Sequence, residues 1–490
     1  MPIEPVEPST LMAFTRSPAS AAILPFQFRL LANFPHYMVS GFMATAQKES
    51  WQSGLGFVLA AAGSAVGLGN LWGFAYRASQ GGGGTFVLLY VLIVATICLP
   101  VLVAEMVLGR STGRSPLLAP VQAAGRAWQP MGWLFVVVSC GILAFYGVLM
   151  GWTGQTLLHA LQVGLPSSMG EAELFFAGIS GGQSAIAGQA VSMLLTAAVV
   201  AAGVQAGIER LSRVALPMLF VLLVVLAVWA SSLPGAAEGY RTFLLRWDSQ
   251  ELLNITTIRN AFTQAFFSVG TGIGAILAYA AYLNRKAPIP SEAVAVVGLD
   301  TAVGLLAGLL TFPVVISFGL GDAISGSTIG TIFLSLPTGL GSIGLTGRIV
   351  AVTFFSLAYL AAITSSVSLL EVPVASLMDR WNWSRRKAAW ISAAVIFAIG
   401  LPAATDLNVL GTMDDLFGGV LLIAGGLLIA VLMGWFAPRS FLEDLNNSGI
   451  TPPARAGIIL FFLRWVSPLV IAAGLLISVV DLIGKWSGQA

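Results

Sequence analysis

Two short stretches of this chain place glycine, hydroxyl and amide groups inside otherwise apolar sequence. The first is Gly63-Ser64-Ala65-Val66-Gly67-Leu68-Gly69-Asn70, and the second is Ser268-Val269-Gly270-Thr271-Gly272-Ile273-Gly274. Each glycine in a helix interior costs about 1 kcal/mol relative to alanine, so three in so few residues make local unwinding cheap. Unwound backbone at membrane depth is tolerated only where protein buries it or where it lines a cavity. Carbonyls freed in such a break can hold a cation, and a half-helix N-terminus can hold an anion. The chemistry in prospect is ligand binding. A third polar feature, Asp300 in Gly298-Leu299-Asp300-Thr301, opens an apolar run. A carboxylate inside a span costs about 2.5–3.5 kcal/mol on insertion scales, so a partner is expected.

The elements that must position these groups follow from composition. Of 490 residues, 57% are hydrophobic and only 9% charged, against about 25% charged in an ordinary soluble domain. Such a chain has too little polar surface to cover itself in water. Apolar runs such as 86–108, 214–233 and 409–436 reach the roughly 20 residues needed to cross a bilayer as a helix. They are continuous, whereas the strands of a membrane barrel would alternate over about 10 residues. The expected fold class is an all-α polytopic membrane protein of about 11 transmembrane helices. The spans start near Trp51, Phe86, Gly132, Ala187, Val214, Ile258, Ala293, Ile349, Ala388, Val409 and Ala456. The two glycine stretches then fall in spans 1 and 6, five helices apart, as in two inverted five-helix repeats with discontinuous helices 1 and 6. Glycines that merely let helices pack closely are the competing explanation, and two breaks at matching positions weigh against it.

The expected organisation is a leader over 1–42, a first repeat with an outer loop over 43–254, an inverted repeat over 255–437, and span 11 with the C-terminus over 438–490. The leader has scattered prolines and no clean signal-peptide pattern. It is read as disordered, as lying before a true start at Met43, or as a short amphipathic surface segment. With the N-terminus cytoplasmic, fifteen of the 23 Lys and Arg fall on the inner side and six on the outer. The reverse topology would put the minority inside, so the N-terminus is placed in the cytoplasm and the C-terminus outside. The membrane is taken to be the plasma (cell inner) membrane. Net charge of +2 gives no sign of nucleic acid as a partner, and Cys98 and Cys140 lie within apolar spans with no disulfide or metal framework.

Residue by residue, the chain resembles the neurotransmitter:sodium symporter family, with its leucine-transporter-type fold. The resemblance begins at Trp51 and Leu55-Gly56-Phe57, and runs through the span 1 break, Gly82-Gly83-Gly84 and Pro100…Glu105…Gly109-Arg110. It returns at Gln264…Phe267-Ser268 and Thr364-Ser365-Ser366, covering about residues 48–483. It implies sodium-coupled symport of a small amino-acid-like solute, with two sodium sites. One would use Gly63, Val66, Ala361, Thr364 and Ser365, neutral oxygens that hold a hard cation weakly enough for release. The other would use Ala65, Asn70, Ser268 and Asp300. Family members that need chloride use it as a compensating negative charge, so Asp300 is expected to remove a chloride requirement. By position the substrate would lie among Ser64, Ala65, Leu68, Gly69, Ile142, Tyr146, Phe267, Gly270, Ile273, Ser365 and Leu369. Tyr146 and the amides of Leu68 and Gly69 would bind its carboxylate, and Phe267 would close over it. The lining favours a hydrophobic or aromatic amino acid, and Gly270 leaves extra room.

The gates depart from the family in one place. An Arg-Phe-Pro run is usual just beyond the first break, and here the sequence reads Gly73-Phe74-Ala75. Arg77 lies one helical turn further on and is expected to take over the outer pair with Asp414. Lys48, Trp51, Tyr282 and Asp379 fall where the family closes the inner side with a basic–acidic pair braced by tyrosine, and Glu371 could join them. Glu105 matches a buried acid that supports the breaks in spans 1 and 6. Membrane lipid is an expected partner, and oligomeric state is left open.

A sensor or a channel on the same fold is the main alternative, because fold does not fix function. An enzyme is not expected. Gly319-Leu320-Gly321-Asp322 spells the string of an intramembrane aspartyl protease, but that chemistry needs a second aspartate on a neighbouring span. Gly178-Ile179-Ser180-Gly181 resembles a rhomboid string in an outer loop, and His36 and His159 are poorly placed as bases.

Overall fold

A computed structural model describes residues 49–319, 328–447 and 451–487. The leader, Met43, Lys48 and Asp322 lie outside the described residues. Among those described the structure is helical, with no strand.

Among the described residues, nine helices are long and apolar enough to cross a membrane: Gly84–Thr112, Arg126–Gln162, Gly182–Ala201, Val204–Ser231, Ile289–Ser317, Gly344–Trp381, Arg385–Thr405, Leu407–Phe436 and Pro453–Trp486. A tenth span is the pair Gly54–Ala65 and Gly69–Gln80, bent by 69°. Near the remaining expected start, Ile255–Val269 and Ala275–Ala280 are two pieces, each too short to cross alone. In chain order these become spans 2, 3, 4, 5, 7, 8, 9, 10 and 11, with the bent pair as span 1 and the two pieces as span 6. Length and composition alone therefore support nine or ten crossings, and not the full count of eleven.

Span 5 illustrates why these helices belong in lipid. Leu216, Leu219, Leu223 and Leu226 are buried, while Val214, Val221, Val225 and Val228 are 54–65% exposed. Both faces are apolar, as expected of a helix with protein on one side and hydrocarbon on the other.

Each break has a local cause. The first half of span 1 starts where Ser53 accepts a hydrogen bond from Gly56 N–H at 3.0 Å, a helix N-cap. It ends at Ala65 because Val66 is extended (φ −72°, ψ 106°). The first piece of span 6 starts at Asn254, which accepts from Thr256 N–H at 2.9 Å, and ends at Gly270. Gly270, Gly272 and Gly274 have φ of +67°, +98° and +85°, a region that costs residues with a Cβ. Gly272 is doubly constrained. A Cβ there would stand 2.4 Å from Gly426 N and Leu422 O of span 10.

Candidate substrate and ion site

The first cluster joins the span 1 break to span 8. Ala361 and Ser365 are four residues apart and share a helix face. Ser365 Oγ lies 3.0 Å from Val66 O, 3.2 Å from Ala361 O and 3.4 Å from Gly63 O. Thr364 Oγ1 lies 3.0 Å from Ala361 O, and a Cβ on Gly63 would stand 3.2 Å from Thr364 Cβ. All five residues assigned from the resemblance therefore meet. Their oxygens are carbonyls and hydroxyls without formal charge, a donor set suited to loose binding of a hard cation.

The second cluster is built around Asp300, which is fully buried. Its carboxylate accepts from Asn70 Nδ2 at 2.6 Å, Ser268 Oγ at 2.6 Å and Tyr90 OH at 3.3 Å. Asn70 Nδ2 also donates to Ser268 Oγ at 2.7 Å, and its Oδ1 accepts from Gly67 N–H at 3.2 Å. Asp300 is thus held in the interior by three donors and does not reach out to the surface. For Asn70 to serve as an oxygen ligand, its amide has to turn so that Oδ1 faces Asp300. Ala65 is buried at the end of the helix beside this cluster. Sequence reasoning missed Tyr90; its signal, a polar ring in the same apolar span as Glu105, is too common in membrane helices to single it out.

A cavity of about 180 Å³ lies above the breaks, lined in part by Leu68, Gly69, Tyr146, Phe267, Arg77 and Asp414. The Leu68 N–H donates to Tyr146 OH at 3.3 Å, so the two groups expected to bind one carboxylate already touch. Phe267 covers Gly69 so closely that a Cβ there would be 2.7 Å from its ring. A Cβ on Gly270 would meet only Ile273, at 3.7 Å. Ser64 Oγ donates to Ser368 Oγ at 2.6 Å. Ile142 and Leu369 are buried, and Leu369 O accepts from Ser139. Ser64, Ala65, Ile142, Gly270, Ile273, Ser365 and Leu369 do not line this cavity.

Glu105 supports the span 6 break alone. Its two oxygens accept from Gly272 N–H at 3.1 Å and Leu277 N–H at 3.2 Å. These are amides that the unwinding leaves without helical partners.

Both gates differ from expectation. Arg77 and Asp414 line the same cavity, but no ion pair joins them. The Arg77 guanidinium donates to Gln264 Oε1 instead, and Gln264 Nε2 donates to Gly69 O at 3.3 Å. At the other end, Asp379 pairs with Arg114 at 2.8 Å and accepts from Ser115 N–H at 3.0 Å. Its expected partner Lys48 lies outside the described residues. A basic–acidic pair braced by Tyr282 is present, with Glu371 as its acid and Arg385 as its base. Arg385 pairs with buried Glu371 at 2.6 Å and with Glu49. Tyr282 OH donates to Glu371 at 3.0 Å. Burial raises the Glu49 carboxyl above its usual range, against a lowering by Arg385. Trp51 Nε1 donates to Tyr279 O at 2.9 Å, and Glu209 of span 5 accepts from Gln52 N–H at 2.9 Å. The segment entering span 1 is therefore tied to spans 5, 6 and 9, while the Arg77 end keeps its cavity. Arg385 escaped the sequence reading because it sits in a run of basic residues that marks an inner loop equally well. Of the protease strings, Asp322 is not described, and Gly178–Gly181 lies at the end of the loop helix Met169–Ser180. His159 stacks on Phe175 at 4.4 Å.

The model of the sodium:neurotransmitter symporter family matches residues 48–175 and 179–486. The chain is 34% identical to the uncharacterized sodium-dependent transporter YhdH of Bacillus subtilis (strain 168), over 91% of this chain and 100% of that protein. It is 31% identical to an uncharacterized sodium-dependent transporter of Methanocaldococcus jannaschii, over 83% and 85%. The crystal structure of MhsT in complex with L-phenylalanine superposes with a TM-score of 0.79 at 35% identity, covering 87% of this chain and 99% of that one.

Proposed function

The chain belongs to the sodium:neurotransmitter symporter family, and on that premise we propose that it carries a small hydrophobic or aromatic amino acid across the membrane with sodium, by alternating access. One observation carries this reading: span 1 carbonyls converge on Ser365 while the next amide along the break, at Leu68, meets Tyr146. An ion and a carboxylate can therefore be held by one unwound segment. Gly63, Val66, Ala361, Thr364 and Ser365 would hold one sodium. Ala65, Asn70, Ser268 and Asp300 would hold a second. Tyr146, with the Leu68 and Gly69 amides, would take the substrate carboxylate, with Phe267 over the side chain. The phenylalanine complex of MhsT supports an aromatic substrate. The charge count supports an N-terminus in the cytoplasm and a C-terminus outside the plasma membrane.

The energetics suffice. Each sodium supplies about 1.4 kcal/mol per tenfold gradient and about 2.3 kcal/mol per 100 mV. Two ions can therefore drive accumulation over several orders of magnitude. As the site fills, Arg77 would leave Gln264 and close on Asp414. The test is uptake of labelled phenylalanine, tryptophan and leucine into proteoliposomes with an inward sodium gradient. Accumulation above equilibrium that vanishes with the gradient is expected. Sodium current without accumulation of any amino acid would overturn the coupling. In the same assay, Arg77→Ala with unchanged uptake and salt dependence would remove Arg77 from the gate.

A further inference from the structure

Arg464 lies within span 11 and has no protein acceptor. Its carbonyl is also singular. In a regular helix that oxygen would accept from residue 468, which is Pro468 and has no N–H. Trp435 of span 10 supplies the missing donor, with its Nε1 2.9 Å from Arg464 O. Gly434 permits the approach, since a Cβ there would stand 3.1 Å from Arg464 Cα. The guanidinium is thereby set 4.5 Å from the Trp435 ring centre and 5.8 Å from that of Trp465. Among the described residues it makes no hydrogen bond or ion pair through its side chain, and its Nε is buried without a partner.

The site sits at a definite depth. From Arg464 to Trp486 is about 33 Å of helix at 1.5 Å per residue, close to the thickness of a hydrocarbon core. With Trp486 at one interface, Arg464, Trp435 and Trp465 stand at the other, in the aromatic belt. Trp435, Phe436, Phe461 and Trp465 are 43–64% exposed, so this corner faces lipid. An arginine inside a span calls for a counter-charge, and none pairs with Arg464 among the described residues.

We infer that Arg464, held between Trp435 and Trp465, is a binding site for the phosphate of an anionic phospholipid headgroup. A planar guanidinium fork suits a phosphate, and the flanking indoles supply apolar contact for the glycerol and upper acyl chain. Arg439 and Arg455, both exposed at the same end of spans 10 and 11, add field without forming the pocket.

The test uses the full chain in nanodiscs of phosphatidylcholine with graded phosphatidylglycerol. Retained lipid is read by native mass spectrometry and unfolding by thermal shift. Wild type is expected to retain phosphatidylglycerol over phosphatidylcholine and to gain in melting temperature as the anionic lipid is added. Arg464→Gln should bind it about fivefold more weakly, the factor one arginine contributes at an anionic surface. Arg455→Gln, which takes away only diffuse field, should lose less than Arg464→Gln and keep the preference for phosphatidylglycerol. Should Arg464→Gln fail to fold, the headgroup titration of wild type stands alone: equal retention of both lipids overturns the proposal. So does an Arg464→Gln protein that keeps the preference, or one whose only change is in oligomeric state, which would give the face to a second copy of the chain.

Discussion

At the residue scale, Asp300 carries the most consequence. Its carboxylate has three hydrogen-bond donors and no cation among its described contacts. A sodium ion added beside it would have a full anionic ligand, which a relative with a neutral side chain there would lack. Sodium-driven uptake is therefore expected to persist when chloride is replaced by gluconate. Asp300→Asn should lose at least tenfold in chloride-free medium and regain part of that when chloride returns. Uptake by wild type that stops in gluconate would refute the assignment. Asp300 was legible in the sequence because an acid in an apolar run is conspicuous. Tyr90 was not, although it bonds both Asp300 and Ser268, since nothing in a linear string says which way a tyrosine points. Thr364 and Ser365 were legible only through resemblance. Taken alone, hydroxyls in a helix fit interhelical packing equally well.

At the element scale, the span 6 break could be read from its three glycines, because positive φ leaves few other residues the choice. Its support could be read only in part. Glu105 was legible through the resemblance, but the backbone-to-backbone approach of Gly272 to Gly425 and Gly426 is a tertiary fact. The one-residue bulges at 94–98, 414–421 and 462–466 left no trace either, since an extra residue in a helix that is apolar all round shifts no pattern. Gly272→Ala combines a strained φ with a 2.4 Å approach to two backbone atoms. It is expected to cost about 3 kcal/mol or more and to abolish sodium-dependent stabilisation. Gly298→Ala, on a span 7 face with nothing within 4 Å, should be neutral or slightly stabilising by helix propensity. Thermal unfolding of the two variants with and without sodium checks the contrast, and equal melting points would mean that the break tolerates a side chain.

At the scale of the whole molecule, composition gave away a helical membrane protein, and the Lys and Arg count gave an orientation. What it could not give is which end of the transport path is closed. That depends on contacts between segments far apart in the chain: Glu49, Tyr282, Glu371 and Arg385 span more than 300 residues. Their arrangement ties the entry to span 1 against spans 6, 8 and 9, so opening this end requires Arg385 to let go of Glu49 while it keeps Glu371. Glu371 is fully buried, and removing Arg385, the one cation paired with it among the described residues, leaves an uncompensated charge, at a cost of about 3–5 kcal/mol. Arg385→Gln should therefore be strongly destabilised, Glu371→Gln less so because Arg385 keeps Glu49, and the double variant less than the sum of the two, because glutamine at both positions leaves no charge at the buried Glu371 site. A coupling of at least about 1 kcal/mol is expected for groups in such contact. The double variant should fold yet transport poorly, since a path closed by neutral groups is no longer held shut while the other end is open. Strict additivity of the two single losses in thermal unfolding, or full uptake by the double variant, would show that this cluster is not what keeps the Trp51 end closed.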